Sequence, residues 1–151
     1  MALKIKSTKI KDTILDEKDN EIGIIEFDPE DATVYKRFLE LIDTITEYQK
    51  IDSKIGDLEE IPSFELKSVE EFEKYRGVFN KLGRKIDEYI KMREKIATIT
   101  DEIFGNVSGV FKQVSSSIDP YLSLIEWATP YFKKGRETKI KEYLEDSTDV
   151  M

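Results

Sequence analysis

The chain has 151 residues, of which 39% are hydrophobic and 37% charged, and its net charge is −8. This length fits one domain, and the acidic balance argues against sequence-independent binding to nucleic acid or anionic membranes, because both require positive charge. Neither Cys nor His is present. Their absence excludes disulfides, thiol nucleophiles, imidazole bases and the usual zinc, copper and haem ligands, so we expect no cofactor and no metal.

The N-terminal part of the sequence predicts β structure. Residues 3–11 alternate lysines with apolar side chains, which is typical of an edge strand or a mobile arm. Two β-branched runs at 13–15 and 22–27 then flank a polar turn at 17–20, the pattern of a β-hairpin. Because a two-stranded hairpin is not stable alone, it must pack on the helices or on a neighbouring subunit.

The first helix has the sharpest start signal in the sequence. We predict Asp28 as its N-cap and Pro29 as its first residue, with acidic residues in the first turn at the positive end of the helix dipole. Capping accounts for these carboxylates, so we expect no metal or acid–base site there. The helix is predicted to end near Gly56, and a short loop over 56–67 favours antiparallel pairing with the next helix.

A long helix is predicted from Ser68 to Gly105. Ser68 and Glu71 form a capping box at its start, and Gly105 can adopt the left-handed conformation that closes a helix. Gly77 and Gly83 lie inside it and predict a bend or close packing near its middle. Its wide apolar stripe requires a packing partner.

The residues after the long helix predict shorter helices. Asn106 can cap a short one, and Ser116 or Ser117 precedes a further helix with Pro120 in its first turn. Pro130 is expected to kink or end that helix. A basic cluster follows, which we interpret as a solvated helix end: Lys133, Lys134, Arg136, Lys139 and Lys141.

The predicted fold class is mainly α, with an N-terminal β-hairpin followed by two long antiparallel helices and a C-terminal cluster of shorter helices. We expect a single domain over residues 1–151. Residues 1–27 form the strand arm and hairpin, 28–104 the long helical pair, and 105–151 the short helices and tail.

Aromatic side chains concentrate towards the C-terminus, and two interpretations of them stay open. They form the core, or some of them are exposed anchors of a protein interface. The candidate partner-binding residues are Phe104, Phe111, Tyr121, Trp127, Tyr131 and Phe132. An enzyme is not expected, since no set of residues supplies a nucleophile, a base and an orienting group together.

Two stretches carry a resemblance to a known group of proteins: FDPEDATVYKRFLELID at 27–43 and DEIFGNVSGVFKQVSSSIDPYLSLIEWATPYF at 101–132. They resemble small phage and prophage tail-region proteins of Gram-positive bacteria that look like tail assembly chaperones. The resemblance implies a non-enzymatic protein that binds the aggregation-prone tape measure protein during tail assembly and helps to recruit tube subunits.

We therefore expect a tail assembly chaperone, or a related tail-morphogenesis protein, that binds its client through apolar helix grooves and self-associates. The N-terminus lacks a secretory signal and no apolar run could span a membrane, so we expect a location in the host bacterial cytoplasm. One alternative is an acidic phage protein that inhibits a host nucleic-acid-binding enzyme by presenting carboxylates like phosphates. Another is a structural tail or head component. An exposed apolar groove would favour the chaperone, and acids clustered on one surface would favour the inhibitor.

Overall fold

A computed structural model describes residues 1–55 and 69–149, and within these ranges the chain forms two strands followed by four helices. The mainly α class, with an N-terminal antiparallel hairpin followed by helices, is confirmed. The capping box predicted at Ser68 and the loop predicted over 56–67 lie outside the described residues. The elements are β1 Ile10–Leu15, β2 Glu21–Phe27, α1 Ala32–Ile55, α2 Val69–Phe104, α3 Ser108–Val114 and α4 Asp119–Asp149.

The chain divides into two compact units. The hairpin unit comprises Met1–Ile42 and Ala97–Met151, and the helix-pair unit comprises Asp43–Ile96. Each unit contains part of α1 and part of α2, since both long helices run across its boundaries. The single-domain organisation stays a prediction.

The predicted hairpin is confirmed. β1 and β2 pair antiparallel, with Ile10 opposite Phe27. At the turn, Asp16 accepts the backbone N–H of Asn20 at 2.9 Å through its carboxylate, and Asp19 adopts a left-handed conformation with φ of 61°. The hydrogen bond from the Asn20 backbone is the main cause that lowers the pKa of Asp16. The polar turn residues thus specify where the hairpin reverses.

The chain before β1 is an exposed arm. Residues 1–9, all of them described, form neither helix nor strand, so the strand considered for 3–11 begins only at Ile10. The Thr8 hydroxyl donates to both carboxylate oxygens of Asp28, at 3.0 and 2.9 Å. This contact holds the base of the arm at the far end of the hairpin from its turn.

The start of α1 differs from the prediction. Asp31, not Asp28, caps the helix, because its carboxylate accepts the backbone N–H of Thr33 at 2.8 Å. The Asp28 carboxylate instead accepts the N–H of Glu30 at 3.0 Å inside a tight turn. Pro29 lies in this turn, whose second position suits the fixed φ of proline as well as a first helical position does. A tight turn and a helix start have the same sequence signature here, and the packing of the folded chain decided for the turn.

The end of α2 is as predicted, whereas the start of α3 is not. Gly105 has φ of +84° and its N–H donates to the carbonyl of Asp101 at 3.0 Å, which closes α2. The Asp101 carboxylate then accepts the N–H groups of Val107 at 3.1 Å and Ser108 at 2.8 Å. Asp101 therefore supplies the cap that was predicted for the exposed Asn106. A side chain six residues upstream can do this because Gly105 turns the chain back.

Replacing Asp101 with Ala is expected to lower the free energy of unfolding by about 1–2 kcal/mol, since two backbone N–H groups and the Ser108 hydroxyl lose their acceptor. Urea denaturation followed by circular dichroism measures the loss. The neighbouring Glu102→Ala is the control, because its ion pair with Arg37 at 3.5 Å is half exposed and worth about 0–1 kcal/mol. Equal losses for the two variants would contradict the capping role of Asp101.

The last helix is longer than predicted. α4 has Pro120 in its first turn, as expected, but it runs through Pro130 to Asp149. Of the two outcomes predicted at Pro130, the end of the helix is therefore wrong, and a kink stays a prediction. Pro130 and Glu126 are both exposed, so the Glu126 carbonyl that loses its helical donor lies on the solvent side, where water can replace the hydrogen bond.

The core of the hairpin unit is an aromatic cluster that joins the hairpin to the helices. Phe132 of α4 stacks on Phe38 of α1 with ring centroids 4.2 Å apart. Phe27 of β2 meets Phe104 at the end of α2 edge to face, at 5.0 Å. All four side chains are buried. The hairpin is thus stabilised by packing on helices, as the sequence analysis requires.

In the helix-pair unit, α1 and α2 pack through Tyr48 and Tyr89, whose ring centroids lie 4.6 Å apart. Tyr48 is only 2% exposed. Burial, followed by the hydrogen bond with Tyr89, raises the pKa of Tyr48 well above its ordinary value. The phenol therefore stays neutral and acts as a core residue.

Candidate functional site

One concave surface of the hairpin unit is a groove of about 550 Å³ between the turn end of the hairpin, α3 and the start of α4. Each of these elements contributes apolar side chains to it. We name this surface the hairpin groove. Its apolar lining includes Ile14, Leu15, Ile22, Val114, Leu124 and Trp127.

The apolar lining of the hairpin groove is partly open to solvent. Leu15 is 51% exposed and Val114 is 53% exposed, whereas Phe111 and Leu124, which also line the groove, are buried. The buried side chains fix the shape of the groove, and the exposed ones remain available for contact. Exposed apolar side chains that meet in a concave surface are typical of a binding site.

The polar part of the groove is acidic. Asp16 and Glu17 from the hairpin turn and Asp119 from the first turn of α4 line it. None of the described residues that line it is Lys or Arg. The Asp16 carboxylate is held in place by the turn N–H groups, so its charge is fixed in position. The groove therefore favours a partner segment that is apolar and positively charged.

The structure places the six candidate partner-binding aromatics in three settings. Phe104 and Phe132 lie in the aromatic core. Phe111 and Tyr121 are also buried and contact each other edge to face at 5.1 Å.

Trp127 and Tyr131, the other two, are half-buried neighbours on α4, with ring centroids 5.1 Å apart. Phe111 and Trp127 are the members of the set that line the hairpin groove. The partner-binding role stays a prediction for all six. Of these side chains, only the half-buried Trp127 and Tyr131 can be reached by a partner without opening the core.

Sequence reasoning missed the exposed residues of the groove. Leu15 and Val114 were not singled out, because each lies at the end of its element and its exposure depends on elements distant in sequence. The signal available in the sequence was the acidic turn beside Leu15. It predicted a hairpin and said nothing about what the turn would face.

A second apolar surface lies on α2 in the helix-pair unit. Phe72 is 54% exposed, Ile86 is 44% exposed and Ile90 is 47% exposed. Phe72 and Ile86 are separated by two heptads, which places them on one face of the helix. This stripe is typical of a helix that meets another protein surface.

Among the described residues, no group of three or more His, Cys, Asp or Glu side chains is arranged so that it could hold a metal ion. No helix among the described residues is long and apolar enough to cross a membrane. Comparisons of the chain with models of protein families, with curated proteins and with solved structures find no match.

Proposed function

We propose that this chain is a protein-binding chaperone that covers an apolar, basic segment of a client protein in the hairpin groove. In the form suggested by the resemblance, it is a tail assembly chaperone or related tail-morphogenesis protein, and the client is the phage tape measure protein in the host cytoplasm. The single observation that supports this proposal is the apolar groove with an acidic lining.

The free energy that a client would gain from contact with the groove can be approximated from the apolar surface it covers. Covering half-exposed side chains such as Leu15 and Val114 removes apolar surface from water, and each contributes on the order of 1 kcal/mol. The acidic side chains add attraction to basic clients and accelerate their encounter more than they strengthen binding. A groove of this kind gives weak, reversible binding, which suits a chaperone that must release its client.

The alternatives have less support from the hairpin unit. Acids clustered on one surface would favour an inhibitor that presents carboxylates like phosphates, whereas an exposed apolar groove favours the chaperone. Asp16, Glu17 and Asp119 instead surround an apolar floor. A structural tail or head component requires stable ring assembly, for which the groove supplies no argument.

Replacing Val114 with Lys is expected to reduce at least severalfold the amount of tape measure protein that stays soluble on co-expression, because a charge then stands on the apolar floor. The measurement is the soluble fraction of the client and its co-elution with this chain. Ile24→Lys is the matched control, since Ile24 is 61% exposed and lies outside the groove.

The proposal requires that the unsubstituted chain and Ile24→Lys both keep the client soluble. A client that precipitates with all three proteins, or that stays soluble with none of them present, would refute the chaperone role. Equal solubilisation by Val114→Lys and Ile24→Lys would move client binding away from the hairpin groove.

A further inference from the structure

The exposed N-terminal arm has the chemistry that the hairpin groove favours. Leu3 is 85% exposed and Ile5 is 83% exposed, so both apolar side chains stand in water. Lys4 and Lys6 alternate with them and are exposed too. In an extended chain such alternation puts the apolar side chains on one face and the lysines on the other.

We propose that the N-terminal arm of one copy of this chain docks in the hairpin groove of a second copy. The apolar face of the arm would cover Leu15 and Val114, which are half exposed in the groove. The lysines would lie close to the carboxylates of Glu17 and Asp119. Apolar and charge complementarity therefore coincide on the same two surfaces.

The arm cannot occupy the groove of its own chain in this way. Thr8 is held at Asp28, beyond the end of the hairpin that is distant from the turn. A strand rises about 3.3 Å per residue, so the groove, whose lining on the hairpin begins at Ile25 opposite Asp12, starts about 13 Å further along the hairpin. Ile5 lies three residues before Thr8 and reaches back only about 10 Å.

Even fully extended and reversed, the arm would bring Leu3 only about 17 Å from Thr8, just inside the near edge of the groove and short of Leu15, which lies about 23 Å from Thr8 along the strand. It could not lay Leu3 and Ile5 along the floor together. While the Thr8 hydroxyl stays bonded to Asp28, an arm that covers the floor must therefore come from another molecule. In a pair of copies, the arm of each can fill the groove of the other, which forms a closed dimer with two-fold symmetry.

This inference rests on the hairpin groove and not on the identity of the client. Arm exchange would keep the apolar floor covered in the absence of a client, and a client would have to displace the arm. Self-association and client binding then compete for one surface.

Sedimentation of the full chain, over a concentration range of about 1–100 μM, tests the proposal through the dimer dissociation constant. Charge reversal in the arm by Lys4→Glu and Lys6→Glu is expected to weaken the dimer at least about tenfold. Charge reversal in the groove by Glu17→Lys and Asp119→Lys is expected to weaken it similarly. Combining both pairs in one chain restores opposite charges and is expected to recover most of the dimer.

The matched control for the arm variant is Lys91→Glu with Lys95→Glu. It changes the net charge by the same amount as the arm variant, at exposed positions of the helix-pair unit. It is expected to leave the dimer unchanged, and circular dichroism verifies that every variant is folded. A monomer at all concentrations would overturn the proposal, as would a dimer that the arm variant does not weaken. Because no client is present, these results are independent of the co-expression experiment.

Discussion

Replacing Phe132 with Ala is expected to lower the free energy of unfolding by about 3–5 kcal/mol, the largest effect of any substitution considered for this chain. Phe132 is 1% exposed, stacks on Phe38 at 4.2 Å and lies 5.3 Å from Phe27. Its removal leaves a cavity where strand β2 meets α1 and α4. The midpoint and the slope of urea denaturation, followed by circular dichroism, measure the loss.

The control for Phe132 is Phe72→Ala. Phe72 is 54% exposed on α2, so its truncation removes little buried surface and is expected to cost well below about 1.5 kcal/mol. A cost for Phe132→Ala that is no greater than this would contradict the assignment of the aromatic cluster as the core of the hairpin unit. It would also return Phe132 to the set of possible surface anchors.

Replacing Gly135 with Ala is expected to destabilise the protein by about 1–3 kcal/mol, although Ala is the better helix former. Gly135 lies in α4 against the turn that precedes α1. An added Cβ would stand 2.8 Å from the carbonyl oxygen of Pro29 and 3.2 Å from its carbonyl carbon. The obstacle is backbone and cannot rotate away. Thermal and urea denaturation measure the change.

The same substitution at Gly83 is expected to have the opposite sign. Gly83 lies inside α2, and a Cβ there would have no described atom within 4 Å. Gly83→Ala therefore gains helix propensity without overpacking and is expected to stabilise by about 0.5–1 kcal/mol. Stabilisation by both substitutions would show that α4 does not press on the turn at Pro29.

The contact at Gly135 is part of a wider attachment of α4 to the start of α1. Arg136 donates to the carbonyl of Glu30 at 2.7 Å, and its guanidinium lies 4.9 Å from the centroid of the Tyr35 ring. These interactions explain why the basic cluster that begins at Lys133 is not solely a solvated helix end. One of its members holds α4 against the turn and so positions α4, which forms one wall of the hairpin groove.

For function, the main consequence is that most of the six aromatic candidates do not belong to the exposed part of the hairpin groove. The aromatic side chains that the sequence offered either as core or as interface anchors are mostly core, and they fix the positions of β2, α3 and α4. The smaller side chains Leu15 and Val114, at the ends of their elements, are the ones left half exposed in the groove. Substitution at these positions can test binding without unfolding the unit, which the buried aromatics do not allow.

Local signals in the sequence were sufficient wherever a few adjacent residues decide the conformation. The polar turn at Asp16 and the left-handed Gly105 needed no distant contact, because side chain and backbone conformation within one turn settled them. The start and end signals and the wide apolar stripe predicted the long helix α2 from the local pattern alone. Where one signature fits two structures, the prediction was wrong: the residues at Pro29 were predicted to start a helix, and they form a tight turn before it.

The sequence by itself determined the mainly α class, the hairpin, the ends of several elements and the absence of thiol and imidazole chemistry. Tertiary structure alone decided that Phe104 and Phe132 are buried, that Asp101 caps α3 and that α4 continues past Pro130. It alone brought the acidic hairpin turn to α3 and α4 and so created the groove. The physical reason is that burial and concavity depend on residues distant along the chain, whose packing the local pattern does not record.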